Sequence, residues 1–182
     1  MHPWLHFKTI TRHKLLVMHY CFRAGMYKQG LLHDLSKYAP VEFLVGCKYY
    51  QGDRSPNNAE REETGLSKSW LHHKGRNKHH FEYWIDYSMP GSKGPLLIGM
   101  KMPLRYVVEM FMDRIAACKV YQKEDYTDAS PWLYHQKSKR VQAVMHPESL
   151  ALLNHLLQML AEEGEKKTFA YAKQLVQKDR DR

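Results

Sequence analysis

Residues 103–122, PLRYVVEMFMDRIAACKVYQ, carry the clearest structural signal in the chain. Pro103 precedes an apolar stripe that recurs at the spacing of an α-helix, formed by Leu104, Val107, Val108, Phe111 and Ile115. A helix of this kind needs an apolar partner surface, so the segment predicts the centre of a helical fold. Asp113 interrupts the apolar character, and from the residues alone it is either a surface carboxylate or a metal ligand.

Most of the segments on either side of this helix also have the sequence pattern of helices. We expect helices at 9–29 (stopped by Gly30), at 31–38 (LLHDLSKY, ended by Pro40), from Pro40 onward, at 131–144, from Pro147 to Gly164, and at 165–178. Residues 68–85 are expected to form one helix or two turns joined at Gly75. Residues 51–66 are expected to form an exposed loop, and 87–103 an irregular loop able to act as a lid. No sustained alternation of apolar and polar residues suggests a sheet, so the prediction is an all-α, single-domain helical bundle over 1–182.

The composition and the cysteine spacing exclude several classes of protein. The 182 residues carry a formal net charge of +9, and no apolar run is long enough to cross a bilayer. Three widely spaced cysteines form no CxxC motif, which excludes a zinc-finger cluster and a secreted disulfide scaffold. We therefore expect a cytoplasmic protein with no membrane partner.

Histidine and positive charge are concentrated in one half of the chain. Nine of the 12 histidines lie in the first 80 residues, together with 13 Lys and Arg but only 6 Asp and Glu. A basic half favours an anionic partner, either a small phosphate-containing substrate or nucleic acid, although it is also compatible with a merely solubilising surface.

Several chemically active side chains stand out by type and spacing: His13, the adjacent pair His33 and Asp34, the cluster HHKGRNKHH at 72–80, and Asp113. Imidazole and carboxylate together suit a divalent transition metal such as Fe, Mn, Co, Ni or Zn. In one unbroken helix, two imidazoles seven residues apart are about 10.5 Å apart along the axis, too far to bind one ion. Gly75 could provide the necessary break, and the sequence leaves the choice between His79 and His80 open.

The ordered set of motifs resembles the HD-domain superfamily of metal-dependent phosphohydrolases, which are all-helical and named for an adjacent His-Asp pair. HDLSK, at 33–37, is similar to the HD-x-[GS]-K form of that superfamily. More narrowly, TRHK, GLLHDLSKY, WLHHKGRNKHHFEYW and MPLRYVVEMFMDR resemble an uncharacterised family of bacterial and phage proteins. The resemblance covers about residues 8–122, which leaves the C-terminal helices, about 131–178, to complete the core or to form a homodimer contact.

The resemblance implies a ligand set. One ion would be held by His13, His33, Asp34 and Asp113, and Asp34 would bridge to a second ion held by His73 and either His79 or His80. His13 precedes the pair by fewer residues than in many superfamily members. His19 is closer still to the pair and remains an alternative first ligand. The histidine cluster is also more compact than in two-metal members, so the expected count is one or two ions.

The resemblance also implies a phosphohydrolase that acts on a phosphomonoester or phosphodiester, nucleotide-like substrate through an activated water. Asp34 is expected to hold the nucleophile and to assist proton transfer, with Lys37 as a second catalytic residue. The substrate phosphate is expected to contact Lys37, Arg76 and Asn77, and Glu82 and Glu109 are expected to orient imidazoles.

Two other functions fit the same residues. Some superfamily members use this ligand set to hold two irons and activate O₂, which makes a di-iron oxygenase one alternative. The other is a non-catalytic module in which the basic half binds nucleic acid or a protein, with Trp70, Phe81, Tyr83 and Trp84 as a stacking surface.

Overall fold

The computed structural model describes residues 1–137 and 143–181. Within these ranges it contains eight α-helices and one short hairpin. The helices are α1 (Pro3–Arg23), α2 (Tyr27–Leu32), α3 (Pro40–Lys48), α4 (Pro56–Thr64), α5 (Lys68–Lys74), α6 (Leu104–Gln122), α7 (Ser130–Gln136) and α8 (Pro147–Arg180). The hairpin consists of β1 (Ile85–Tyr87) and β2 (Leu97–Gly99), and three short 3₁₀ turns occupy Leu35–Tyr38, Phe81–Trp84 and Lys123–Asp125. The prediction of a mostly α-helical protein is confirmed.

Helix α6 lies at the centre of the bundle, as its apolar stripe predicts. It packs against α1 on one side and against α8 on the other, and α7 closes over both α6 and α8. Phe111, Met112 and Ile115 are fully buried against Leu153, Leu156, Leu157 and Leu160 of α8. Helices α2 and α3 pack against α1, and α4 and α5 pack against α3.

The first predicted helix ends earlier than expected. Helix α1 stops at Arg23, and Gly25 adopts φ +75°, a left-handed conformation that costs glycine little. Gly30, the expected stop, is instead buried inside α2. The segment LLHDLSKY is not a helix either. Its first two residues end α2, and the chain turns at His33 and Asp34 before the 3₁₀ turn begins at Leu35.

Two further expectations need correction, and one choice that the sequence left open is decided. Residues 51–66 are not only loop, because Pro56 opens α4 within them. Residues 68–85 do not form one helix: α5 ends at Lys74, Gly75 caps it, and a separate 3₁₀ turn follows, as in the second of the two expected arrangements. The segment after residue 84 contributes the antiparallel hairpin, in which Asp86 pairs with Ile98. A three-residue strand is too short for the alternation of apolar and polar residues to be recognised in the sequence.

The C-terminal helices follow the sequence signals more closely. Helix α7 ends at Gln136, and the later part of the predicted helix 131–144 includes residues 138–142, which lie outside the described residues. Helix α8 begins at Pro147 and kinks at Gly164, whose φ of 77° and ψ of 172° are not helical. The described helices include none with the length and apolar character that a membrane span requires.

Candidate metal centre

A turn between α2 and the first 3₁₀ segment places two adjacent side chains at one point. His33 is extended (φ −51°, ψ 126°) and Asp34 is left-handed (φ 53°, ψ 24°). Successive side chains of an α-helix diverge by 100°, so a helix over this segment would separate the two. Left-handed backbone is uncommon outside glycine, although aspartate tolerates it better than most residues. His33 and Asp34 are 2% and 1% exposed.

The carboxylate of Asp34 divides the surrounding imidazoles into two groups. Its Oδ2 atom lies 3.6 Å from His13 Nε2 and 3.4 Å from His33 Nε2. Asp113 completes this group, with its Oδ1 atom 2.9 Å from His13 Nε2 and 3.6 Å from His33 Nε2. Helix α1 supplies His13 and α6 supplies Asp113, so three separate segments meet at this oxygen.

The other oxygen of Asp34 faces the histidine cluster. Oδ1 lies 3.3 Å from His73 Nε2 and 3.5 Å from His79 Nε2. His80 joins them, with its Nε2 atom 2.9 Å from that of His73. The chain turn that follows Gly75 brings the end of α5 and residues 79–80 together, so both His79 and His80 belong to the group. We refer to the two groups together as the histidine centre: His13, His33, Asp34, His73, His79, His80 and Asp113.

Two buried glutamates lie behind the imidazoles. Glu109 on α6 is within hydrogen-bond distance of His33 Nδ1 (2.9 Å) and 3.2 Å from His79 Nδ1. Glu42 on α3 is 2.8 Å from His73 Nδ1 and 2.6 Å from His72 Nδ1. Because an ionised carboxylate can only accept, each of these Nδ1 atoms donates, and the Nε2 atoms of His33, His73 and His79 are left directed at Asp34. Such carboxylate–histidine pairs fix ligand orientation in metal sites.

Hydrogen bonds to other segments hold these supporting groups in place. Asn77 Nδ2 donates to the carbonyl oxygen of His73 and to Ser36 Oγ, both at 2.8 Å, which ties α5 to the HDLSK turn. Ser67 caps α5 by accepting from the Trp70 amide at 3.0 Å. The buried carboxylate of Glu60 accepts hydrogen bonds around this cap and anchors the start of α5 to α4.

The donor atoms fit a cation. Two ligands at about 2.0–2.2 Å from one ion, at tetrahedral or octahedral angles, are about 3–3.6 Å apart, and the Asp34-to-imidazole separations fall in that range. His79 Nε2 and Asp34 Oδ1 are buried without a hydrogen-bond partner. Converging lone pairs and an orphaned carboxylate oxygen are unfavourable without a positive charge between them.

The pKa shifts of the carboxylates and imidazoles also favour a positive charge within the histidine centre. Burial raises the pKa of Asp34, but His33, Lys37 and His73 outweigh it and hold that pKa well below its usual range. Burial lowers the pKa of His33, yet the neighbouring carboxylates raise it overall. Burial lowers the pKa values of His13 and His80, which favours the neutral imidazole that binds metals.

A cavity of about 750 Å³ opens beside the histidine centre. Its wall includes His13, His73, His80 and Asp113 from the centre, and residues of α1, α3, α4, α6 and α7. Lys37 also lines it, with Nζ 2.7 Å from Asp34 Oδ2. A cavity of this size can hold a small organic ligand.

The remaining site residues predicted from sequence have different environments. Arg76 is exposed, donates to the carbonyl oxygen of His72 at 3.4 Å, and does not line the cavity. Asn77 is buried and bonded to protein groups, so it supports the centre and does not face a ligand. His19 is exposed, which removes it as an alternative to His13. Glu82 lines the cavity and makes no hydrogen bond to an imidazole of the described residues, whereas Glu109 contacts two.

Some residues that are buried or that line the cavity were not identified from the sequence. Glu42 is a lone acidic residue in the apolar segment of α3, the same signal that identified Asp113 on α6. Arg61 and Arg114 line the cavity, but neither lies in a histidine-rich motif. His6 and His135, which lie in none of the motifs singled out in the sequence, are 5% and 1% exposed.

The aromatic residues of the basic half do not share one surface. Phe81 is buried, and Trp84 packs on the apolar core. Trp70 lines the cavity, with its ring centroid 4.7 Å from that of His80, and Tyr83 is exposed. The four rings therefore do not form the stacking surface that the sequence suggested.

Comparison with known proteins gives one match. Residues 2–159 match the sequence family described as "Family of unknown function (DUF5662)". No curated protein and no solved structure matches the chain. The matched range includes every residue of the histidine centre and ends within α8.

Proposed function

Because the chain belongs to the DUF5662 family, a family of unknown function, its activity has to be inferred from the site, and we propose that it is a metal-dependent phosphohydrolase. The substrate is a phosphomonoester or phosphodiester, with nucleotide-like compounds in this class. The observation that carries the proposal is the division of the Asp34 carboxylate, whose two oxygens each face a separate pair of imidazole Nε2 atoms. A carboxylate between two groups of donors can bridge two ions, and a pair of ions can stabilise both the attacking and the leaving oxygen of a phosphate ester.

The residues that would hold the ions form two sets joined by Asp34. His13, His33, Asp34 and Asp113 would hold one ion, and Asp34, His73, His79 and His80 the other. A mixture of imidazole nitrogen and carboxylate oxygen donors favours divalent Fe, Mn, Co, Ni or Zn. Divalent ions held there would supply a water whose pKa is lowered towards neutral pH and would offset phosphate charge.

The chain's own groups bind and orient the ester. Lys37 lies beside Asp34 and lines the cavity, so its ammonium is positioned to contact an anionic oxygen. Burial lowers the pKa of Lys37, but Asp34 and Asp113 raise it overall, which keeps the ammonium charged. Asp34 would hold the nucleophile and assist proton transfer from the attacking water. The water oxygen adds to phosphorus as the ester P–O bond breaks, and the proton ends on the leaving oxygen. A monoester then gives an alcohol and phosphate, and a diester gives an alcohol and a phosphomonoester.

The proposal includes the HD-domain type for the helical bundle and a cytoplasmic location. The order of the ligands along the chain resembles that superfamily, and the placement of His33 and Asp34 at one turn supports the likeness. Three cysteines that are buried and unpaired suit a reducing compartment.

The test is metal analysis and an ester screen on protein purified without chelator. We expect one or two equivalents of divalent transition metal and hydrolysis of 4-nitrophenyl phosphate or its diester. Asp34→Ala removes the shared ligand, so metal and activity should both fall, the latter at least about a hundredfold. Asp34→Asn keeps the shape and tolerates left-handed backbone, so it serves where the alanine variant does not fold.

His155→Ala is the matched control, because His155 is an exposed histidine of α8 far along the chain from the centre. It should retain both metal and activity, and circular dichroism should show native helix in all three variants. Full hydrolysis by metal-free Asp34→Asn would contradict the proposal. Iron-containing protein that consumes O₂ and hydrolyses neither ester would favour the oxygenase alternative.

A further inference from the structure

The cavity wall contains guanidinium groups that the histidine centre does not use. Arg114 follows Asp113 on α6, so its side chain leaves the helix about 100° away from that of Asp113. Its Nε atom is buried without a hydrogen-bond partner, and its Nη2 atom approaches Met110 Sδ at 4.0 Å. No carboxylate within residues 1–137 and 143–181 lies within 4.0 Å of the Arg114 guanidinium, and Asp113 and Glu82 act on it only through space.

A second guanidinium lines the same cavity from α4. Arg61 Nη1 donates to Asn58 Oδ1 at 3.1 Å, and its guanidinium carbon lies 5.6 Å from the centroid of Trp70. In the described part of the chain it has no carboxylate partner either. By contrast, Arg54, also in the wall, is neutralised by two 2.8 Å contacts to Glu62.

Glu82 lies in the electrostatic field of both arginines without pairing with them. Its Oε2 atom is buried and has no hydrogen-bond partner, and Lys74, Arg114 and Arg61 act on its carboxyl through space. Besides Lys37 and the paired Arg54, the cavity wall therefore contains two guanidiniums and one carboxylate with unused hydrogen-bonding capacity. Burying the Arg114 and Glu82 groups without partners is unfavourable, and a bound oxyanion would give both guanidiniums a partner.

We infer that Arg114 and Arg61 form a second anion-binding subsite, so that the substrate carries a second anionic group, a carboxylate or a further phosphate, besides the reacting ester. Glu82 accepts a hydrogen bond from a hydroxyl or amino group of the same ligand. The inference rests on the proposed function for the reacting end of the substrate. The sequence placed Arg76 against the reacting phosphate itself, whereas this subsite uses Arg114 and Arg61 for a different anionic group.

The test compares two matched series of esters on metal-loaded, full-length protein. One series contains straight-chain alkyl phosphates, and the other the same compounds with a terminal carboxylate, at graded chain lengths. We expect kcat/KM to favour the carboxylate series by about tenfold or more at the length that spans both subsites. A third series ending in a second phosphate distinguishes which oxyanion is preferred.

Arg114→Met should abolish that preference and leave kcat/KM for the plain alkyl phosphates unchanged, and Arg61→Met should act in the same direction. Arg114→Lys keeps a charge but loses the planar fork, and it serves where the methionine variant does not fold. Arg105→Met is the control, since Arg105 is an exposed arginine of the same helix. Equal rates for the two ester series, or a preference that survives both methionine substitutions, would overturn the inference.

A binding measurement separates this inference from the proposed function. Calorimetry with alkyl phosphonates that end in a carboxylate gives a Kd without turnover. If no ester is hydrolysed but Arg114→Met weakens this binding about tenfold, the subsite stands and the hydrolase proposal fails. Hydrolysis with unchanged phosphonate binding in Arg114→Met, or no binding by the unsubstituted protein, would reject the subsite.

Discussion

The two faces of helix α6 bury very different chemistry. One face carries Glu109 and Asp113 toward the imidazoles of α1, α2 and the 72–80 segment. The other carries Phe111 and Ile115 into an apolar core completed by α8. Both faces are buried, yet the first is made of polar side chains that are paired with one another and the second of side chains that only pack.

The two faces of α6 are expected to contribute differently, the apolar face to stability and the polar face to function. In the apolar core, burial itself is favourable and each side chain contributes in proportion to the area it removes from water. In the histidine centre, burial is unfavourable for each polar group and is offset by hydrogen bonds and, on our proposal, by bound ions. Substitutions in the core should therefore change unfolding, and substitutions around the centre should change ion affinity.

The largest effect on stability is expected in the core. Leu156→Ala should lower the free energy of unfolding by about 2–5 kcal/mol, because Leu156 is fully buried and its truncation leaves a cavity. Urea denaturation measures the change, and metal content should stay that of the unsubstituted protein below the unfolding transition. Leu133→Ala, at a leucine that is 55% exposed, should change stability little. Loss of metal from folded Leu156→Ala protein would contradict the separation.

The next effect concerns the carboxylates behind the imidazoles. Glu109→Gln should weaken metal affinity about 10–100-fold, since Glu109 contacts one imidazole from each group around Asp34. Glu42→Gln should weaken only the ion on the Asp34 Oδ1 side, because its partner within the centre is His73. Competition with a chromophoric chelator measures both affinities. Glu63→Gln, at an exposed glutamate, is the control, and unchanged affinity in Glu109→Gln would contradict the assigned role.

The smallest effect is a pH dependence located outside the centre. Burial and the nearby Arg114 lower the pKa of His135 to about 4, and His135 Nε2 lies 2.7 Å from Asn154 Oδ1. Because the folded pKa lies below the unfolded value of about 6.5, the unfolded chain takes up the proton first as pH falls. The stabilisation is complete above pH 6.5 and is lost between 6.5 and about 4.

Urea denaturation at pH 7, 6 and 5 measures this dependence. His135→Gln should reduce the loss of unfolding free energy across that interval by about 1–2 kcal/mol. His6, whose pKa burial and Lys37 also lower to about 4, should keep its own contribution in that variant. An unchanged pH profile in His135→Gln would show that this histidine does not titrate as described.

The residues of the histidine centre could be selected from sequence because their types and order are unusual. Metal-binding side chains within apolar or histidine-rich segments are rare enough to notice, and this applied to His13, His33, Asp34 and Asp113. Arg76 was selected because it lies among the histidines in sequence, whereas the turn after α5 leaves it exposed and outside the cavity wall. Arg114 gave no signal, since a single arginine beside a helix stripe is ordinary.

By itself the sequence determined the helical class, because the 3.6-residue period and the Pro and Gly boundaries are local properties of the chain. It also determined which donor types are present. Only the tertiary structure decided that both His79 and His80 face Asp34, that Glu109 and Glu42 stand behind the imidazoles, and that Arg114 borders the same cavity. Those facts depend on where the chain turns at Asp34 and after Gly75, and on contacts between distant residues, such as His13 and Asp113, which are 100 positions apart.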